Sequence, residues 1–152
     1  GFQPPQNVRR FMEESDIFLF TSNHLEGWGA VLNESMNSAC AVVAGSGIGA
    51  VPFLIRHAQN GLVFRNECYR EFERQVLVLC RDGDLRKSLG INAYRTMTEE
   101  WNPRVAADRL YRFCEGLLNG KARPEKEGPL SRAPLIVPRD GYAYTRRESG
   151  GQ

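Results

Sequence analysis

Glu26 and Glu34 are the residues of this 152-residue chain whose type and setting best suit chemistry. Glu26 opens the run Glu26-Gly27-Trp28-Gly29, and Glu34 follows inside a helical pattern. A carboxylate accepts hydrogen bonds from neighbouring hydroxyls, and glycines at a turn let the backbone approach a ligand. A helix opening at Gly29 would turn its unpaired N–H groups toward that ligand and favour an anion. The pattern suits a nucleotide or a sugar phosphate. With 18 acidic residues in the chain, a spaced pair means little by itself, so the weight rests on the elements around it.

Those elements alternate between helix and strand. Asn7 is placed to cap a short helix carrying Val8, Phe11 and Met12 on one face. Ile17–Phe20 reads as a strand buried on both faces, as in a parallel sheet. A helix is predicted from about Gly29 to Ser38, then a buried strand Ala41–Ala44, closed by Gly45-Ser46-Gly47-Ile48-Gly49. Pro52 fits the first turn of a short helix Val51–His57, and Asn60-Gly61 turns into a third strand, Leu62–Phe64. Phe72, Val76, Leu79 and Cys80 line one helix, and Leu85, Leu89, Ala93 and Met97 line the next. Asn102 caps a last helix with Pro103 in its first turn and a stripe of Ala106, Leu110, Phe113 and Leu117. The fold class is α/β, with a parallel sheet and flanking helices. In such a sheet ligands sit outside the carboxyl ends of the strands, where Glu26–Gly29 falls.

Composition narrows the class. With 41% hydrophobic and 25% charged residues the chain is of ordinary globular type, and a net charge of +2 gives no argument for nucleic acid. No apolar run approaches membrane-spanning length, and the first residues carry no secretory leader. Cys40, Cys68, Cys80 and Cys114 form no metal-ligand spacing and read as buried free thiols, which favours a cytoplasmic location. His24 in the loop is a bystander before it is a base, and Trp28 is a core or cleft-wall aromatic before it is a stacking platform. Gly45-Ser46-Gly47-Ile48-Gly49-Ala50 loosely fits a dinucleotide fingerprint. Pro52 and the short helix argue against that and favour a tight loop lining the same cleft.

The ordered motifs resemble a family. Ser22, Glu26-Gly27-Trp28-Gly29 and Glu34-Ser35-Met36, followed by Ala41-Val42-Val43-Ala44, are similar to the E-x7-E region of GT-B retaining glycosyltransferases of the family 4 type. Ser15-Asp16, Asn60-Gly61-Leu62-Val63, Asp84-Leu85-Arg86, Leu89-Gly90, Ala93-Tyr94, Trp101-Asn102 and Ala106-Ala107 fit the same family in order, over about residues 1–118. The resemblance implies the second half of a Rossmann-like, donor-binding C-terminal domain. It implies that Glu26 bonds hydroxyls of the donor sugar as the catalytic carboxylate. Glu34 would bind the ribose, and the Gly27, Trp28 and Gly29 amides would meet sugar and diphosphate. The implied reaction moves a sugar from a nucleotide diphosphate to a glycan or lipid-linked acceptor with retention, without metal or cofactor. Phe2 and Gln3 match the loop that touches the nucleobase.

The chain also departs from that pattern. Gly-x-Pro before the second strand is Ala39-Cys40-Ala41 here. Three earlier strands, whose loops supply an Arg and a Lys to the diphosphate, have no counterpart, and neither has the acceptor domain, through which any peripheral membrane contact would run. A non-catalytic nucleotide-sugar-binding or partner-subunit module is the alternative reading. Residues 1–120 are read as the partial domain and 121–152 as a charged, proline-containing tail that is either mobile or wraps the body. The strand Ile17–Phe20 lacks its usual neighbour. Its edge is expected to be covered by a second copy (a homodimer), by Leu135–Val137 of the tail, or by sequence outside this chain. An edge left open would count against this register.

Overall fold

The computed structural model describes residues 1–133. Three parallel strands, β1 (Ile17–Phe20), β2 (Ala41–Gly45) and β3 (Leu62–Phe64), lie side by side in that order. Ile17 sits opposite Ala41 and Val43 opposite Leu62. The helices are α1 (Pro5–Glu13), α2 (Ala30–Asn37), α3 (Val51–Leu54), α4 (Tyr69–Arg81), α5 (Gly83–Arg95) and α6 (Pro103–Leu118), with a π-helical turn Thr96–Glu100 prolonging α5.

Alternation along the strands divides the core in two. Val42 and Ala44 face one side with Phe20, Leu32, Met36, Ile48, Val51 and Leu54. Ala41 and Val43 face the other with Leu62, Phe64, Leu79 and Leu89. Every residue of β2 is buried, as its unbroken apolar run predicts for a central parallel strand. β1 differs from the expectation of burial on both faces. It is the edge strand, Ile17 and Phe18 are half-buried, and Leu19 is 44% exposed. Among the described residues nothing pairs with its outer edge, and Leu135–Val137 lies outside them. A second copy and sequence outside the chain likewise lie beyond the described residues, within which all three strands pair in the anticipated parallel order.

The helices correct several sequence expectations. α1 begins at Pro5 after Pro4, so Asn7 lies inside it: proline's fixed φ and missing N–H suit the first helical position better than a side-chain cap. Of its apolar positions Met12 is buried, Val8 is half-buried and Phe11 is 47% exposed. α3 stops at Leu54 instead of reaching His57. Asn60 folds back there, donating to Leu54 O (2.9 Å) and accepting from Arg56 N (2.7 Å). On α4, Leu79 is buried but Cys80 is exposed, one step round the helix. Of the four thiols only Cys40 is buried, so the expectation of buried thiols fails for the rest. Burial, with the Asp16 charge adding to it, pushes the Cys40 thiol pKa up.

Leu85, Leu89, Ala93 and Met97 do not form one stripe. Steps of four residues advance about 40° each on a 3.6-residue helix, so the row winds around the axis. Leu85 and Leu89 reach the α4 side of the sheet and Ala93 and Met97 the α2 side. Gly90 lies at the crossing, against the Ala39 carbonyl just before β2. Asp82 caps α5 by accepting from Leu85 N (2.8 Å), and Asn102 caps α6 by accepting from Val105 N (3.0 Å), the latter as expected. On α6 the expected stripe fails: Ala106 and Phe113 are half-buried, whereas Leu110 is 52% and Leu117 59% exposed. The helix leaves the body with half its apolar face uncovered by described residues. Lys121 N donates to Gly116 O (2.7 Å) and Gly120 N to Leu117 O (3.2 Å), turning the chain back along α6.

α2 ends in the same kind of motif, with Cys40 N donating to Ser35 O (3.1 Å) and Ala39 N to Met36 O (3.1 Å). The left-handed position is Ala39, at φ +60°. An alanine there costs about 1–2 kcal/mol of backbone strain. Replacing it with glycine relieves that strain but adds about 0.4–1 kcal/mol of unfolded-chain entropy. Ala39→Gly is therefore expected to stabilise the fold by about 0.5–1 kcal/mol net. Denaturant unfolding checks this, with an unchanged slope and a higher midpoint expected.

Candidate functional site

The loops that leave the carboxyl ends of β1, β2 and β3 converge. After β1, Asn23 makes a tight turn: its side chain accepts from Leu25 N (3.0 Å) and its carbonyl from Glu26 N (3.0 Å). The chain then lies along the loop after β2, with Ala50 N donating to Trp28 O (2.9 Å) and Gly49 N to Glu26 O (3.4 Å). Gly49 packs directly on the Gly27 carbonyl. From the third loop the Asn66 side chain accepts from Gly47 N (2.9 Å), while Ser46 N donates to Phe64 O (2.9 Å). The turn Glu26–Gly29 thus rests on a second loop, which rests on a third.

α2 starts from this platform. Gly29, its N-cap, has φ +83°, and a Cβ there would lie 2.8 Å from the Phe20 ring, so both conformation and space require glycine. No side chain caps the helix, and the amides of Gly27, Trp28, Gly29, Ala30 and Val31 donate to no acceptor among the described residues. Residues 21–34 contain no lysine or arginine, and within them the helix opening supplies positive potential from its backbone N–H groups. Glu26 is half-buried, with its Cγ close over Gly29, and Glu34 stands exposed on the second turn of α2. The two carboxylates therefore belong to one turn–helix unit.

Trp28 forms a wall. Its Nε1 donates to Asn33 Oδ1 (2.9 Å), and its ring meets those of Phe53 (5.5 Å) and Trp101 (6.0 Å) at tilted angles. Phe53 and Asn33 carry no signal in the sequence reading. The π-helical turn brings Trp101 round to the other two rings. His24 lies in the exposed loop before the turn. Phe2 is 96% exposed and Gln3 accepts from Asn7 Nδ2 (3.2 Å), so neither is bonded to the turn.

Asn66 is the other residue that sequence reasoning missed. Glycines at 45, 47 and 49 were its only trace, since alternate glycines mark a loop against which something packs closely. Its position is held from the side. Glu71 accepts from Arg65 N (2.8 Å) and Arg65 Nε (2.8 Å), which keeps the Glu71 carboxyl below its ordinary pKa. The clamp contributes stability above the unfolded carboxylate pKa and loses it as pH falls through the lower folded value. The protection of the Arg65 and Asn66 amides, as exchange rates corrected for their intrinsic pH dependence, is expected to be constant near neutrality and to fall as pH drops through the lowered Glu71 value.

The site is an open face. Concavities of about 190 Å³ and 250 Å³ lie elsewhere, beside α6 and beside Arg56 and Asn92. Among the described residues no three His, Cys, Asp or Glu side chains group as metal ligands, and no helix is long and apolar enough to cross a membrane.

Comparisons with known proteins agree on one family. The model of the "Glycosyl transferases group 1" family matches residues 1–96. An uncharacterised glycosyltransferase of Methanocaldococcus jannaschii is 27% identical over 108 residues, 71% of this chain and 27% of that protein. The crystal structure of the C-terminal domain of a glycosyl transferase group 1 family protein, LpcC, from Francisella tularensis superposes with TM-score 0.59 and 29% identity, over 64% of this chain and 50% of that one. An Anabaena protein, HepE, solved with UDP, shares the fold at TM-score 0.63 and 20% identity, over 70% of this chain and 29% of its own. Its complex with UDP and glucose gives the same score at 19% identity, over 76% and 31%. The chain thus spans about a quarter of the archaeal relative's length. With its parallel sheet, its turn–helix face and a family match over most of its described length, the chain belongs to the glycosyl transferases group 1 family, as part of a GT-B C-terminal domain.

Proposed function

We propose that this chain carries one half of the donor site of a retaining glycosyltransferase of the family 4 type. The parent protein moves a sugar from a nucleotide diphosphate to a glycan or lipid-linked acceptor. The observation that carries the reading is the turn Glu26–Gly29 at the strand ends, which holds Glu26 beside the uncapped amides that open α2, the helix carrying Glu34. Glu26 holds hydroxyls of the donor sugar, and Glu34 holds those of the ribose. The opening of α2 at Gly29 faces the diphosphate. As the bond from the anomeric carbon to the diphosphate oxygen breaks, the bonding pair stays on that oxygen, and those amides stabilise its charge. The acceptor hydroxyl oxygen bonds to the anomeric carbon on the same face of the sugar, and its proton passes to the departing diphosphate oxygen. The donor is the only small molecule this scheme needs besides the acceptor. UDP and glucose in the Anabaena neighbour support a nucleotide sugar as ligand.

Calorimetric titration with a panel of nucleotide sugars tests the reading. At least one is expected to bind, more weakly than in a complete domain, because the cations that would complete the diphosphate site lie outside residues 21–34. A radiolabel transfer assay with the chain alone is expected to show no turnover. Absence of binding by every donor would refute the proposal.

A further inference from the structure

A second feature, sharing no residue with the turn, is the basic concavity between α6 and the segment that folds back on it. Arg109, Arg112 and Phe113 line it from α6, and Lys121, Arg123 and Glu125 from the returning segment, around a space of about 190 Å³. Four cations meet one carboxylate there. The segment is fixed in place: Lys121 N donates to Gly116 O (2.7 Å), and Arg109 Nη1 donates to Glu127 O (2.6 Å) and Pro129 O (3.1 Å). Arg56 then pairs with both Glu127 and Glu100, tying the segment to the body.

Arg109 is engaged with carbonyls, so it supplies charge to the concavity while its neighbours keep donors to offer. Arg112 pairs with Asp108 (2.8 Å) only at the surface, with side chains 59% and 64% exposed, a contact that solvent weakens. Lys121 and Arg123 have no ion pair among the described residues. Holding four cations around one lining carboxylate, Glu125, leaves their charge under-compensated, and a compact multiply charged anion relieves that. A guanidinium fork matches phosphate oxygens two at a time, and a space of this size accepts one phosphate group.

We propose that this concavity binds a phosphate-bearing group, either a free phosphate or the headgroup of an anionic lipid. Two probes separate the sources: inorganic phosphate, followed through the backbone amides of Lys121, Ala122 and Arg123 by NMR, and cosedimentation with phosphatidylcholine vesicles with or without phosphatidylglycerol. Arg112→Gln and Arg123→Gln are exposed changes that leave the Arg109 anchor intact, and Arg81→Gln on α4 is the control. Each of the first two is expected to weaken binding about fivefold, as for one cation lost at an anionic surface, with Arg81→Gln near unity. A response to phosphate assigns a soluble ligand; a response to anionic vesicles alone assigns a headgroup. Either supports the site, whether or not nucleotide sugars bind at Glu26–Gly29. Silence from both probes, or equal loss in Arg81→Gln, overturns it.

Discussion

Gly49→Ala is expected to destabilise the chain by about 3 kcal/mol and to abolish donor binding. The added Cβ would enter the shell of the Gly27 carbonyl, 2.8 Å from its carbon and 3.4 Å from Trp28 Cα. Both neighbours are backbone, so neither swings aside as a side chain would. Either the loop after β2 lifts, breaking the Ala50 N to Trp28 O bond, or the turn Glu26–Gly29 shifts away from α2. Each alternative displaces the amides and the Glu26 carboxylate together. Gly27→Ala is the informative control. It lies in the same turn, and a Cβ there meets nothing within 4 Å. That change is expected to stay within about 0.5 kcal/mol of the parent by thermal unfolding. A stable, donor-binding Gly49→Ala would show that the two loops are not locked together.

Gly90→Ala gives the second large effect, this time in the fold. Two terms of opposite sign compete. Alanine in a helix interior is favoured over glycine by about 1 kcal/mol. Against that, the methyl would press on the Ala39 carbonyl, 3.2 Å from its carbon, at the point where α5 passes beneath β2. Overpacking of a rigid contact costs up to about 3 kcal/mol, so a net loss of about 2 kcal/mol is expected. For a chain of this size the melting temperature should fall by about 4–8 °C. An unchanged or higher melting temperature would mean that α5 slides away from the sheet and keeps only the propensity gain. Donor affinity, measured below the transition, should hardly change, because Ala39 lies at the opposite end of β2 from the site. The two glycines therefore separate loss of the site from loss of the fold.

Much of the fold was legible because burial writes itself into local patterns. β2 is central and reads as an unbroken apolar run, and β3 follows the Asn60-Gly61 turn that sets its start. The Asn102 cap with Pro103 marks the α6 boundary by the same local logic. What failed depends on partners far away in sequence or outside the described residues. A helix pattern shows which residues are apolar, but not that Leu110 and Leu117 meet no cover among those residues. Spacing by four suggested one face for α5, whereas crossing beneath the sheet divides its row between two cores. At the site, Glu26, Gly29 and Glu34 stood out because turn, glycine and helix are contiguous. Asn66, Asn33 and Phe53 did not, since a side chain bracing a loop 19 residues away leaves no periodic trace.

Amide chemical-shift mapping of the chain with its best-binding nucleotide sugar, repeated with Glu26→Ala and Glu34→Ala, tests the central claim most directly. The largest shifts are expected at Gly27, Trp28, Gly29, Ala30 and Val31. Each substitution should weaken affinity about 10- to 100-fold, the loss of hydrogen bonds to a charged acceptor. Shifts confined to other surfaces, or both variants binding as the parent does, would contradict the assignment of the donor site to the turn Glu26–Gly29 and helix α2.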